Sequence, residues 1–225
     1  MSSIESVRAA VRVIADTAVK NEQYFCDLDA VAGDGDFGYS LARGFESVLQ
    51  KWDSLDDSSA SAFLRSVATT LATRLGGTSG PIWGTGFLRA GGAVKDRVDL
   101  NLHDVLAMVD AAIAGIQHRG GAAAGDKTLL DALFPLRDEI AVATTRSDTP
   151  SEVAAAVAAA ARRGADHTKA LQASRGRASY VGERSIGSED PGAVAVAVMA
   201  ENIAQLWPSE ATSYPSHPMN QEPAR

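Results

Sequence analysis

Apolar positions recur along this chain at spacings of three and four, the period of one helix face, and nowhere with sustained period-two alternation. Ile4, Val7, Val11, Ile14 and Ala18 form one such stripe and predict a first helix over roughly residues 3–26, with Ser2 and Glu5 at capping-box spacing. Leu41, Phe45, Val48 and Leu49 predict a second, fading near Asp53. Asp57-Ser58-Ser59 opens a third, with Phe63, Val67, Leu71 and Leu75 on one face and Gly76-Gly77 as its stop. Thr78-Ser79-Gly80-Pro81 starts a short glycine-rich fourth that contains Trp83, Phe87 and Leu88. The fifth runs from Asn101 to about His118, with Leu102, Val105, Val109 and Ile113 expected inside, and the sixth carries Leu129, Leu130, Leu133 and Ile140. Thr149-Pro150-Ser151-Glu152 combines an N-cap, a first-turn proline and a reciprocal glutamate, opening an alanine-rich seventh to about Leu171. Pro191 opens the last, along which Val196, Met199, Ile203 and Leu206 face the core. The expected fold is all-α, a single eight-helix antiparallel up-and-down bundle or barrel. Residues 1–207 read as one domain, and the Pro-, Ser-, Asn- and Gln-rich residues 208–225 as a disordered tail.

Composition narrows the function classes. A 225-residue chain with 45% hydrophobic and 22% charged residues suits one soluble domain with one core. A net charge of −7 argues against nonspecific nucleic-acid binding, which needs a basic footprint. No run approaches the roughly 18 apolar residues of a membrane span, and the N-terminus lacks a basic-then-apolar leader pattern. Cys26 is alone, so no internal disulfide is possible, and Cys/His zinc spacing is absent. The expected location is cytoplasmic, with no membrane and no nucleic-acid partner.

The chemistry concentrates in Asp29-Ala30-Val31-Ala32-Gly33-Asp34-Gly35-Asp36-Phe37-Gly38. Three carboxylates within eight residues repel one another unless a cation sits among them, and a hard divalent ion with oxygen ligands is the natural candidate. A solvated acidic loop is the alternative. Two near-motifs fail. Gly33-x-Gly35-x-x-Gly38 spells a dinucleotide fingerprint, but a helix precedes it and Asp34 and Asp36 would repel a pyrophosphate. Gly120-x4-Gly125 before Asp126-Lys127-Thr128 resembles a P-loop with one residue inserted and no preceding strand. An EF-hand fails because the twelfth position is never glutamate. In an up-and-down bundle the connections after odd-numbered helices share one end. Those are Asp29–Gly38, Gly76–Pro81, Gly120–Thr128 and Arg175–Pro191, the four glycine-rich or basic loops of unusual chemistry. Acids for a metal, helix N-termini for phosphate and an arginine-rich loop at one end describe a metal-nucleotide site.

These residues carry a specific resemblance. Asp29-x4-Asp34-x-Asp36, Gly76-Gly-Thr-Ser-Gly-Pro81, Gly125-Asp-Lys-Thr-Leu-Leu-Asp-Ala132, and Gly176-Arg-Ala-Ser-Tyr-Val-Gly-Glu-Arg-Ser185 with Asp190-Pro-Gly192 resemble the nucleotide-binding L subunit of dihydroxyacetone kinase, in order through about residues 5–207. The resemblance implies an eight-helix barrel that binds ADP or ATP through two Mg²⁺ ions held by Asp29, Asp34 and Asp36, which act catalytically through the metal. By the same motifs, Phe37, Gly38, Tyr39 and Ser40 would pass the phosphates, and Thr78 and Ser79 would offer them hydroxyls and amides. Gly120 and Leu129 would line the adenosine pocket, Arg177 would contact the nucleotide, and Asp190, Pro191 and Gly192 would close over it. Leu129 is equally readable as plain core, Gly120 as a helix stop, and Lys127 and Arg184 as ion-paired within their loops. The family usually has histidine where this chain has Phe37, which cannot donate to phosphate or titrate.

The implied activity is that of an alcohol-group phosphotransferase, glycerone kinase-like and active with a partner. A ketose-binding subunit would hold dihydroxyacetone or a related small ketose such as erythrulose, and this chain would supply the phosphoryl group from Mg-bound nucleotide. A phosphotransferase-system protein could recharge the ADP, and a homodimer is expected. The alternatives are a noncatalytic ADP/ATP-binding regulatory module and a fatty-acid-kinase-like nucleotide domain.

Overall fold

The computed structural model describes residues 2–74, 79–95 and 97–207. Among these are nine α-helices, three 3₁₀ segments and no strand. The helices are α1 (Ser3–Lys20), α2 (Glu22–Asp29), α3 (Phe37–Gln50), α4 (Ala60–Arg74), α5 (Ser79–Ala93), α6 (Leu102–Gly120), α7 (Leu130–Ala143), α8 (Pro150–His167) and α9 (Pro191–Ala204). The eight expected helices are all present, with the first divided at Asn21. There the Asn21 side chain and backbone N–H both donate to the Thr17 carbonyl, at 2.9 and 3.1 Å, so a local side-chain bond competes with the helical ladder. The expected tail, 208–225, lies outside the described residues.

Helices adjacent in the chain pack against each other, and the last returns to the first. α1 lies on α3, then α3 on α4, α4 on α5, and so on through α8 on α9, with α9 back against α1. The result is a closed ring. Asn202 donates to the Thr17 hydroxyl at 2.9 Å across its closing seam. α9 is buried on every side from Gly192 to Ala197, as an all-apolar stretch should be, and forms the innermost wall. Phe25, Phe45 and Phe63 are wholly buried in the same core, each contributing about 2–3 kcal/mol through removal from water. Small residues set the helix spacing. A Cβ on Gly164 of α8 would lie 2.7 Å from Pro135 Cγ of α7, so only glycine allows that approach.

The caps follow their sequence signals. Ser2, Asn101 and Thr149 each close a capping box with Glu5, Asp104 and Glu152. One expectation fails: Val105 is 37% exposed, because α6 turns Ile113, Gly115 and Ile116 inward and leaves Val105 on the outer side.

Candidate functional site

α2 ends on Asp29 and α3 begins on Phe37, so the acidic loop is a tight return between two antiparallel helices. Its closeness depends on Gly38, where a Cβ would lie 2.7 Å from the Cys26 nitrogen and closer still to the Glu22 carbonyl oxygen. Gly35 takes the turn at φ 76°. The return draws Asp29, Asp34 and Asp36 together, with one carboxylate oxygen of each within 4.8 Å of the others. At that separation each like-charge pair costs about 1 kcal/mol in water and about 3 kcal/mol near a protein surface. The cation that meets the cluster is Arg177, whose guanidinium pairs with Asp34 and stands 3.7 Å from Asp36. The donor set is all carboxylate oxygen, partly exposed, and suits Mg²⁺.

The Phe37 backbone N–H donates to Asp29 Oδ2 at 3.2 Å, orienting that carboxylate. Its ring turns away from the acids and stands edge-on to buried Phe25, 6.2 Å between centroids. Tyr39 donates its N–H to Cys26 Sγ at 3.2 Å, and its ring is exposed beneath the Arg43 guanidinium. Ser40 continues the helix, donating its N–H to the Asp36 carbonyl at 2.9 Å.

The Gly120–Thr128 and Arg175–Pro191 loops meet at the same end, and of the Gly76–Pro81 loop the described residues are Ser79–Pro81. Arg177 begins a 3₁₀ segment, Arg177–Ser185, within the long connection from α8 to α9. That connection is tied to the loop before α7. Asp126 accepts from the Ser174 hydroxyl at 2.5 Å and from Arg175 Nε at 3.2 Å, and these bonds, the Ser174 hydroxyl foremost, hold its carboxyl below the usual range. Asp131 accepts from Gly125 N–H at 2.5 Å and Thr128 N–H at 2.8 Å, which shapes the glycine loop. Gly120 is the last residue of α6 and faces Ile82 near the start of α5, while Gly121 in the left-handed region stops the helix. Ile82, Ala122 and Leu129 pack round Ile113, Ile116 and Leu130, so Leu129 contributes to a core cluster as well as to this end. Ser79 is the first residue of α5. Thr78 lies outside the described residues.

Asp190 caps α9, accepting from Ala193 N–H at 2.7 Å, and its own N–H donates to the buried Thr168 hydroxyl at 2.9 Å. Desolvation raises its carboxyl to about 7, and the nearby Asp131 charge adds to the rise. The Ala193 and Gly192 amides and Lys127 oppose it. Pro191 and Gly192 form the first turn of α9, with Gly192 against Leu129. Asp190–Gly192 thus face the glycine loop from behind. Lys127 was expected in an ion pair within its loop. Instead its ammonium donates to three backbone carbonyls, those of Leu171, Ser185 and Ser188. Asp126, Asp131 and Ser185 stand inside the motifs read from the sequence but carry no role there, and no local signal points to Thr168.

The chain as a whole is similar to a known family. Residues 31–205 match the DAK2 domain. The chain belongs to the DAK2 domain family. It is 36% identical over 182 residues to the ADP-binding subunit DhaL of the PEP-dependent dihydroxyacetone kinase of Escherichia coli, covering 81% of this chain and 87% of that one. It is 35% identical over 205 residues to the L-erythrulose 1-kinase of Mycolicibacterium smegmatis, covering 89% of this chain and 35% of that enzyme. The dihydroxyacetone kinase of C. freundii in complex with AMP-PNP and Mg²⁺ superposes with a TM-score of 0.72 at 25% identity, over 89% of this chain and 33% of that kinase. The chain therefore spans about a third of that kinase and nearly all of the freestanding subunit. Its named relatives are kinases with alcohol acceptors. No helix among the described residues is long and apolar enough to cross a membrane.

Proposed function

We propose that this chain is the nucleotide-bearing, phosphoryl-donor subunit of a kinase for dihydroxyacetone or a related small ketose. The observation that carries the reading is the convergence of Asp29, Asp34 and Asp36 within 4.8 Å, joined by Arg177 from a loop more than 140 residues away. The three carboxylates would hold Mg²⁺, with two ions as the family resemblance implies. When bound, the metal neutralises phosphate charge, the main electrostatic demand of phosphoryl transfer.

The chain's own side chains do the rest. Phe37 N–H keeps Asp29 turned towards the other acids. Arg177 offers a fork of donors to phosphate oxygens once the acids engage metal. The start of α3 presents Gly38, Tyr39 and Ser40 beside the phosphates, and Ser79 at the start of α5 adds a helix N-terminus. Gly120 and Leu129 would flank the adenosine, with Asp190–Gly192 behind the loop that closes over it.

The ketose would be held by a partner subunit docked at this end, where Val31 and Tyr39 are exposed in and beside the acidic loop and Tyr180 and Ile186 are exposed on the connection that carries Arg177. The similar subunits of Escherichia coli and Lactococcus lactis belong to PEP-dependent and PTS-dependent dihydroxyacetone kinases, so a phosphotransferase-system protein is a fitting source for recharging bound ADP. Direct use of ATP is the other route. A chain that purifies with ADP that does not exchange with ATP follows the first.

Calorimetry with ADP and Mg²⁺ tests the site. Binding should be lost, at least a hundredfold weaker, in Asp34→Ala, and unchanged affinity would remove the metal assignment. Phosphorylation of dihydroxyacetone by this chain alone would sink the partner-dependent reading, and its absence even with a ketose-binding subunit would favour a noncatalytic module.

A further inference from the structure

Lys127 is 3% exposed and has the single positive φ among described non-glycine residues, 59°. A lysine held there is strained, and the conformation persists only where neighbours fix it. Burying an ammonium adds a larger cost unless hydrogen bonds or a counter-charge offset it. Desolvation pulls its pKa below the ordinary lysine value, while the charge of Asp190 opposes that fall. All three ammonium protons are used, donated to the carbonyls of Leu171, Ser185 and Ser188, at 3.2 Å for the first and 2.7 Å for the last.

Those three carbonyls belong to one connection. Leu171 stands at its start, and Ser185 and Ser188 near its end, so one ammonium pulls the two flanks together. Arg177 rides on the span between. The buried Ser185 hydroxyl donates to the Gly182 carbonyl at 2.7 Å and accepts from Ala173 N–H at 2.9 Å, tightening the same base. On the outer side, Asp126 ties Ser174 and Arg175. Lysine suits the place because its three donors are tetrahedrally disposed and match three carbonyls, whereas an apolar side chain of equal length would satisfy none.

We propose that Lys127 is a positioning residue: it fixes the shape of the 171–190 connection and so delivers Arg177 to the acid cluster. It touches neither nucleotide nor metal and acts only through Arg177. The inference rests on the nucleotide reading above, but its first readout does not.

Full-length wild type, Lys127→Met, Arg177→Ala and the double variant decide it by amide hydrogen exchange without ligand and by calorimetry with ADP and Mg²⁺. In Lys127→Met the amides of residues 171–190 should exchange at least tenfold faster while those of α1, α3 and α9 keep their protection. Each single variant should weaken ADP binding about tenfold, and the double variant should be no worse than the weaker single to within twofold, because both act through one contact. Wild-type exchange in the 171–190 connection of Lys127→Met would overturn the proposal, as would losses that multiply in the double variant. Should Lys127→Met fail to fold, Asp126→Ala releases the outer tie of the same connection. It should speed exchange there and weaken ADP binding in wild type but not in the Arg177→Ala background, and an additive loss would overturn the proposal. If wild type binds no ADP with Mg²⁺, the nucleotide reading fails, and the exchange data alone settle whether Lys127 holds the connection.

Discussion

A methyl group at Gly38 would meet the Glu22 carbonyl oxygen and stand 2.7 Å from the Cys26 nitrogen, both backbone atoms that cannot move aside. Gly38→Ala should therefore force α2 from α3 and cost about 2–3 kcal/mol, read as a melting temperature lower by roughly 5–10 °C. The acid cluster should loosen with it. Asp190 makes a second residue-scale prediction. Its folded pKa, about 7, lies above the unfolded value near 3.8, so the folded state holds the extra proton between those limits. Stability should fall as pH rises from about 4 to 7, and Asp190→Asn, which keeps the amide-accepting cap, should flatten that slope in denaturant titrations at several pH values. The three aspartates were legible because their chemistry is local: eight residues of chain put them together whatever the fold. Phe37 and Lys127 were not. The ring of Phe37 turns to Phe25 instead of the site, and what its position gives Asp29 is a backbone amide that any residue supplies. The three carbonyls that receive Lys127 are 44 to 61 residues distant, and no local pattern announces them.

Helix ends were the most readable elements, since a cap is written in three or four consecutive residues. Thr149 accepts from Glu152 N–H while Glu152 accepts from Thr149 N–H at 2.8 Å and from its hydroxyl at 2.9 Å. Those bonds, that from the backbone amide foremost, hold the Glu152 carboxyl below its ordinary value. Thr149→Ala should cost about 1 kcal/mol, detectable as a melting shift of about 2–4 °C with nucleotide affinity unchanged, because α8 begins away from the acids. The division of the first helix at Asn21 was missed because the apolar stripe runs on past it. The break comes from an amide side chain competing for one carbonyl, a bond that periodicity does not register. Val105 shows the same limit from the other side. The spacing identifies a face, and only the neighbours α5 and α7 decide which edge of that face is covered.

At the scale of the whole molecule, up-and-down order is legible from short connections, and that order alone puts the polar loops at one end. Closure into a ring was not written in any helix, because it depends on the last meeting the first. α1 and α9 meet through Thr17 and Asn202 and through small residues whose periodicity is weak. Thermal unfolding should be a single cooperative transition, with near-ultraviolet and far-ultraviolet dichroism coinciding, since opening any seam exposes the common core. The ring has a further mechanical meaning. A closed hoop of close-packed helices has no free edge, so one helix can swing outward only if both neighbours yield. Room for a ligand or a docking subunit must then be made along the barrel axis, by loops lifting from a stiff rim. The connection carrying Arg177 is the long one on that rim, and Lys127 holds both its flanks, so lifting it for a ligand or partner means breaking those bonds directly above the acids.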